Sequence, residues 1–348
     1  MKPSENNTPT PQRNKVVIYI LIAIAVVVGL GIFVGGMTLL TPVLDNYFKE
    51  NKEIVSLYDF YDAKVGENTT AVYFIGSCHI VFSVYPEEIN RILKERGYGN
   101  ITVYSLYSPG DLPLDRLLHL KKIINSKPSY VIYGMSEGEL ASNGFNEDHV
   151  LIVHDRLEYD YEMLQFYTDE QKNTIRNKNL WDMKRFFTSA IKNELISSER
   201  GTPFTNDYFT DPIGGPEIRK EYEETRKAAE FAETPEPNSR YYNITESSRS
   251  FQAFKYVLDK MNESGIKTSI VNTPSNPSSS AAITEASREN YFRMLNSTGY
   301  PVYDLENSLE SEYYIYSDHH SFDGAMKLAP AWADIIIKEV DTNDVHNA

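Results

Sequence analysis

Continuous apolar runs alternate along this chain with segments whose apolar residues recur every three or four positions. "TAVYFIG" (70–76), "ITVYSLY" (101–107), "SYVIYG" (129–134), "KTSIVNT" (267–273) and "PVYDL" (301–305) predict strands. Between them the spacing predicts helices over 86–99, where Ile89, Ile92 and Leu93 share a face, then 114–124, 247–263, 283–296 and 324–339. Strands that are apolar on both faces belong to parallel sheets covered by helices on each side. The expectation is an α/β three-layer sandwich over residues 70–340, built on five parallel strands. The rhythm stops between 141 and 250, where the chain is charged, Tyr-rich and helical in pattern, with turn clusters at "DPIGGP" (211–216) and "TPEPNS" (234–239). That stretch reads as an insertion, partly helical, rather than as a separate domain.

One segment departs from this pattern. Val16 to Leu40 carries no charged residue, and a bilayer-spanning helix needs about 20 apolar residues. The run exceeds the apolar stretch of a cleavable signal peptide. Lys2, Arg13 and Lys15 precede it, whereas Asp45, Glu50 and Glu53 are among the first charges beyond it. Basic flanks stay in the cytoplasm. The reading is a cytoplasmic tail (1–15), a transmembrane anchor (16–40), a stalk (41–69) and an extracellular domain on a single-pass cell-membrane protein. Asn-x-Ser/Thr sequons at Asn68, Asn100, Asn243, Asn262 and Asn296 fit an exterior location, while the one at Asn6 falls on the other side.

Composition narrows the partners. A formal charge of −15 opposes nucleic acid, which needs clustered Lys and Arg, and opposes docking on an anionic membrane surface. With one cysteine, Cys78, there is no intrachain disulfide and no Cys-rich metal site. Tyrosines outnumber tryptophans 25 to 2, a bias that suits carbohydrate ligands but is equally well explained by packing.

In open parallel sheets the active site lies where strands end and helices begin. "GSCHIVFS", "YSPGD" (107–111) and "GMSEGE" (134–139) follow the first three strands, and "YSDHHSFDGA" (316–325) lies before the last helix. In this order, behind an anchor, the four blocks resemble the SGNH/GDSL hydrolase superfamily, in particular its membrane-anchored extracellular branch of alginate O-acetyltransferase-like, D-alanyl transfer protein-like and DHHW proteins. The resemblance covers roughly 70–140 and 247–340, not the insertion, and implies a flavodoxin-like sheet.

The resemblance also implies site residues. The superfamily's Gly-x-Ser nucleophile step falls on Gly76-Ser77-Cys78, with cysteine in the third position. Cys78 is then a thiol nucleophile, or Ser77 acts in its place, or the site is inactive and Cys78 is a small buried hydrophobe. Asp318 and His320 match the orienter and base, with His319 as the alternative base, because the Gly324-Ala325 step comes one residue early here. Gly110 matches an oxyanion donor. Ser136 stands where the family has Asn. His79 reads as a pocket neighbour of Cys78. "VNTPSNP" (271–277) matches the family's step after the fourth strand. No cofactor or metal is implied.

The function so implied is an acyl (O-acetyl) transferase or esterase acting on a surface glycan or other envelope polymer. A multipass membrane acyltransferase would be its acyl donor. The competing expectations are a catalytically inactive scaffold of the same fold that binds a polymer or assembly partner, and an unrelated receptor or stalk.

Overall fold

The computed structural model describes residues 19–22, 24–29, 31, 70–107, 110–144, 161–175, 241–316 and 318–344. Near the N-terminus, residues 19–22, 24–29 and 31 are helical, with Tyr19, Ile20, Leu21 and Ile22 exposed. Among the described residues no helix is long and apolar enough to cross a membrane. The rest of the 16–40 run lies outside the described residues, as do the tail 1–15, the stalk 41–69 and both turn clusters of the insertion.

The globular part is built on five parallel strands: β1 Thr70–Gly76, β2 Ile101–Tyr107, β3 Tyr130–Met135, β4 Lys267–Asn272 and β5 Val302–Asp304. Their order across the sheet is β2-β1-β3-β4-β5. Pairing runs in continuous register, Thr70 to Gly76 of β1 against Ile101 to Tyr107 of β2. On its other side β1 pairs with β3 from Val72↔Tyr130 to Ile75↔Tyr133.

The helices in chain order are α1 Cys78–Ser83, α2 Pro86–Glu95, α3 Pro113–Arg116, α4 Leu120–Ser126, α5 Glu137–Ala141, α6 Arg249–Glu263, α7 Pro277–Ala281, α8 Glu285–Ser297 and α9 Phe322–Asp344. Successive strand residues point to opposite faces, so β1 supplies two cores at once. Tyr73 and Ile75 join one cluster with residues of α3, α4, α6 and α8. Val72 and Phe74 join the other with residues of α1, α2 and α9. That is the predicted three-layer arrangement. In the second layer Trp332 of α9 is fully buried, its ring edge-on to Phe74 at 5.1 Å, and its Nε1–H donates to the Ser83 carbonyl at 2.9 Å. Burying a large apolar side chain of this kind contributes roughly 1.5–3 kcal/mol.

Three local features differ from the expectation. The first helix is expected at 86–99, yet a short helix, Cys78–Ser83, already precedes it. The helix predicted over 114–124 is two helices, broken at Leu117–His119, where all three residues are buried. The block before α9 is not a plain loop but a small antiparallel pair, β6 Tyr314–Tyr316 and β7 His319–His320. Of the insertion, residues 161–166 form a 3-10 turn that sends Met163 and Phe166 into the first core.

Candidate active site

The strand order reverses direction between β1 and β3, since β2 lies to one side of β1 and all later strands to the other. The loops after β1 and β3 therefore part at that point and leave a crevice at the carboxyl edge of the sheet. Ser77, Cys78 and His79 occupy one wall, and Ser136 to Glu139 the other.

Gly76 makes the turn possible. Its φ is +146°, and a Cβ there would lie 2.7 Å from the Ile80 side chain and 2.8 Å from the Gly134 carbonyl. The turn is held from below by Arg116, whose guanidinium is wholly buried and ion-paired with Asp111, Nε to carboxylate 2.8 Å. The same guanidinium donates to the Gly76 carbonyl at 3.2 Å and the Leu106 carbonyl at 3.4 Å. It thus ties the ends of β1 and β2 to the residue next to Gly110. Nothing in the hydrophobic pattern marks Asp111 and Arg116 as partners.

Ser77 caps α1, its oxygen accepting the His79 N–H at 3.2 Å, while its hydroxyl donates to the Glu139 carboxylate. Glu139 is fully engaged. One oxygen takes the Ser77 hydroxyl and pairs with His79 Nδ1 at 3.2 Å. The other accepts the Ser136 N–H at 2.8 Å, and the Glu139 N–H returns a bond to Ser136 Oγ at 3.4 Å. This is a capping box, and it gives Ser136 a role that the sequence reading did not assign: it aims Glu139 at the β1 turn. The Glu139–His79 contact pairs the carboxylate with the Nδ1 side of the ring.

The titrations follow from these contacts. Burial alone would raise the Glu139 carboxyl, but the His79 charge and the bonds from His79, Ser77 and the Ser136 N–H hold it below the usual range. Burial would lower His79, and the carboxylates of Glu139 and Asp318 overturn that, raising it. Burial first, then the Glu139 charge, pushes the Cys78 thiol up, against the pull of the Gly110 N–H, the Ser77 hydroxyl and its own N–H. The thiol is half-buried and uncharged at rest.

The sequence-predicted residues are distributed unevenly. Ser77, Cys78 and Ser136 come together around Glu139, and the Gly110 N–H is among the groups that pull the Cys78 thiol down. Asp318 is half-buried beside His79 and accepts the Asn276 N–H at 3.0 Å. His319 stacks on Phe82 at 4.4 Å, with the His79 ring 6.4 Å away. His320 is buried with its ring 4.6 Å from that of Tyr314, on a strand that packs against α1. The imidazole seen on a carboxylate is that of His79, and its partner Glu139 went unassigned in the sequence. The available signal was the Ser-x-x-Glu spacing of Ser136 and Glu139.

A cavity of about 260 Å³ adjoins this centre, with His79, Glu139 and Asp318 on one side and Glu137, Asn272 and Glu306 among its other lining residues. Among the described residues no group of three His, Cys, Asp or Glu side chains is placed to hold a metal ion.

The architecture is thus a parallel α/β sandwich with a serine, a cysteine, a histidine and a glutamate gathered at its switch point. Among solved structures, the chain is similar to a candidate acylhydrolase from Bacteroides fragilis, at 10% identity over 83% of this chain and 98% of that one, with a TM-score of 0.38. It is similar to an acetyl xylan esterase at 11% identity, over 76% and 99% of the two chains, with a TM-score of 0.36. A GDSL-like lipase from Bacteroides thetaiotaomicron matches at 11% identity, over 81% and 98%, with a TM-score of 0.35. Likenesses this loose say nothing about the reaction. One family model, which carries no functional description, matches residues 202–341, under half of the chain. No curated protein matches the chain.

Proposed function

We propose that the chain is an esterase or acyltransferase whose reaction centre is the Ser77-Cys78-His79 turn. The observation that carries this reading is the Glu139 carboxylate, which holds the Ser77 hydroxyl and pairs with His79 Nδ1 on either side of Cys78 in the chain. Carboxylate on Nδ1, with Nε2 left for proton transfer, is the orienter–base half of a triad.

In this mechanism the Cys78 sulfur attacks the carbonyl carbon of an ester. As the S–C bond forms, the thiol proton passes to Nε2 of the His79 imidazole in its neutral form, the form that acts as base, and the developing oxyanion takes the Gly110 N–H. The C–O bond to the alcohol then breaks, and the imidazolium returns the proton to the leaving oxygen. Water or an acceptor hydroxyl attacks the thioester by the reverse route, releasing the acid or the transferred ester. Because the thiol is uncharged at rest, its proton leaves during attack and no standing thiolate is needed. Ser77 is the second nucleophile candidate, and His319 and His320 with Asp318 are the alternative bases.

The setting belongs to the same proposal. The 16–40 run would anchor the domain outside the cell, the acyl group would be O-acetyl supplied by a multipass membrane acyltransferase, and the acceptor would be a surface glycan or envelope polymer. Two observations favour a second reading, that of a non-catalytic scaffold. Burial and Glu139 push the Cys78 thiol up, and the Ser77 hydroxyl is committed to Glu139. Incubation with p-nitrophenyl acetate, followed by intact mass and nitrophenolate release, separates the two. Turnover abolished in both Cys78→Ala and His79→Ala supports the enzyme, and absence of turnover in the native chain supports the scaffold.

A further inference from the structure

Glu137 lies on the same short helix as Glu139 but shares none of its bonds. It is 4% exposed, it lines the cavity, and neither carboxyl oxygen has a hydrogen-bond partner. Unpartnered buried carboxyls are costly and call for an explanation. The charges around it are unbalanced. From α5 comes Glu139, from the end of β5 Asp304 and Glu306, and from the β6–β7 turn Asp318. Among the described residues, the groups facing them that can carry positive charge are His79 of α1, beside Glu139, and Arg288 of α8, paired with Glu306 at 2.8 Å. Tyr242, Asn272, Ser275 and Ser279 complete a polar lining that brings no further cation.

We propose that this cavity receives an organic ammonium group, with Glu137 as its anionic partner. A cation there gives Glu137 the donor that the protein withholds and offsets the excess of carboxyls. A neutral polyol would leave that excess in place, and an anion would add to it. Burial first and then the Glu306 and Asp304 charges, partly countered by Arg288, raise Glu137 to about 7, so below that pH it carries a proton. Seating an ammonium ion favours the carboxylate and expels that proton, so affinity rises with pH until Glu137 is already ionised. The inference deepens the proposed reaction, because the cavity borders the same His79 and Glu139.

The test is calorimetric titration of the full chain with ethanolamine and glucosamine, against ethylene glycol and glucose as neutral counterparts. Each is run in two buffers of different ionisation enthalpy, on the acid side of the Glu137 titration. These ligands bind without reacting, so the outcome does not depend on whether the centre forms an acyl-enzyme. The expected result is saturable binding of an amine, close to one proton released per ligand, and binding of the neutral counterpart about tenfold weaker or more. Glu137→Gln should lose both the affinity and the proton release. Binding of both amines points to any free ammonium group, and of glucosamine alone to an amino sugar. Equal binding of the neutral compounds, no saturable amine binding, or binding without proton release overturns the proposal. The proton count on the native chain decides the matter if Glu137→Gln fails to fold.

Discussion

Two glutamates on one five-residue helix meet opposite fates. Glu139 receives the Ser77 hydroxyl, the Ser136 N–H and the His79 ring, and is held as a carboxylate. Glu137, two residues earlier and more deeply buried, receives nothing and holds a proton up to about pH 7. Burial acts on both in the same direction, so burial does not separate them. Partners do. The difference divides the crevice into a satisfied side, suited to chemistry, and an unsatisfied side, suited to a ligand that brings its own charge.

Removing the satisfied partner has the largest expected effect. Glu139→Ala leaves the Ser77 hydroxyl and the His79 ring buried without their acceptor. Esterase turnover should fall by ~10²–10⁴-fold, the range for losing positioned acid–base catalysis. Stability should fall by about 3 kcal/mol, as expected when one member of a buried pair is removed. Urea melts would show whether the two losses occur together. The sign with pH is specific. Glu139 is depressed, so its contribution is present above its unfolded titration and is lost as pH falls through the folded one. His79 is raised, so its contribution is complete below its unfolded titration and is lost as pH rises through the folded one. Stability from the pair therefore peaks between the two, and Glu139→Gln should flatten both limbs.

A second way to break the comparison is to shift the walls relative to each other. A Cβ at Gly134, at the end of β3, would run into the Ile80 side chain of α1 and meet Thr273 at 3.0 Å. Gly134→Ala should cost about 1–3 kcal/mol by overpacking and should lower turnover beyond that loss, because β3 carries Glu139 towards β1. Unchanged turnover in the folded variant would mean that the relative placement of the two walls is not critical.

Glu137→Gln should act in the opposite sense. The native carboxyl holds its proton to a higher pH when folded than when unfolded, so it costs stability as pH rises through the interval between the two titrations. The variant should be more stable by up to about 3 kcal/mol at alkaline pH and nearly neutral in acid. Thermal melts across pH would show the gap opening. A gap that opens towards acid would contradict the assignment. The smallest effect concerns Cys78. Alkylation should be slow at neutral pH, and modestly faster in Glu139→Gln, since that carboxylate is part of what holds the thiol protonated.

Much of the frame was legible in the chain because it rests on local pattern. β1 and β2 fall on the residues that their apolar runs predicted, and β3 and β4 end within a residue of the expected edge. Strand-end logic also singled out the stretches that hold Ser77, Cys78, Gly110 and Ser136, and the family resemblance then pointed to those residues within them. What escaped was everything that depends on which loops meet. Glu139 in "GMSEGE" has the look of an ordinary surface acid in a helix's first turn, and only the β1–β3 juxtaposition buries it against Ser77. Arg116 falls within the helix predicted over 114–124 without being marked by it, and it is the buried clamp on Gly76. His79 seemed a bystander to Cys78 because its partner lies 60 residues on, a separation no periodicity reveals.

The reaction reading turns on whether the β1 turn can carry an acyl group. The direct measurement is rapid-quench trapping with an activated acetyl ester, followed by intact mass and peptide mapping of the native chain, Cys78→Ala and Ser77→Ala. The account predicts a single acetyl adduct on Cys78, absent in Cys78→Ala, formed more slowly in His79→Ala, and sensitive to hydroxylamine as a thioester is. An adduct on Ser77 that persists in Cys78→Ala would move the nucleophile by one residue. No adduct in any form of the protein, with the fold intact, would contradict the account and leave the crevice as a binding site.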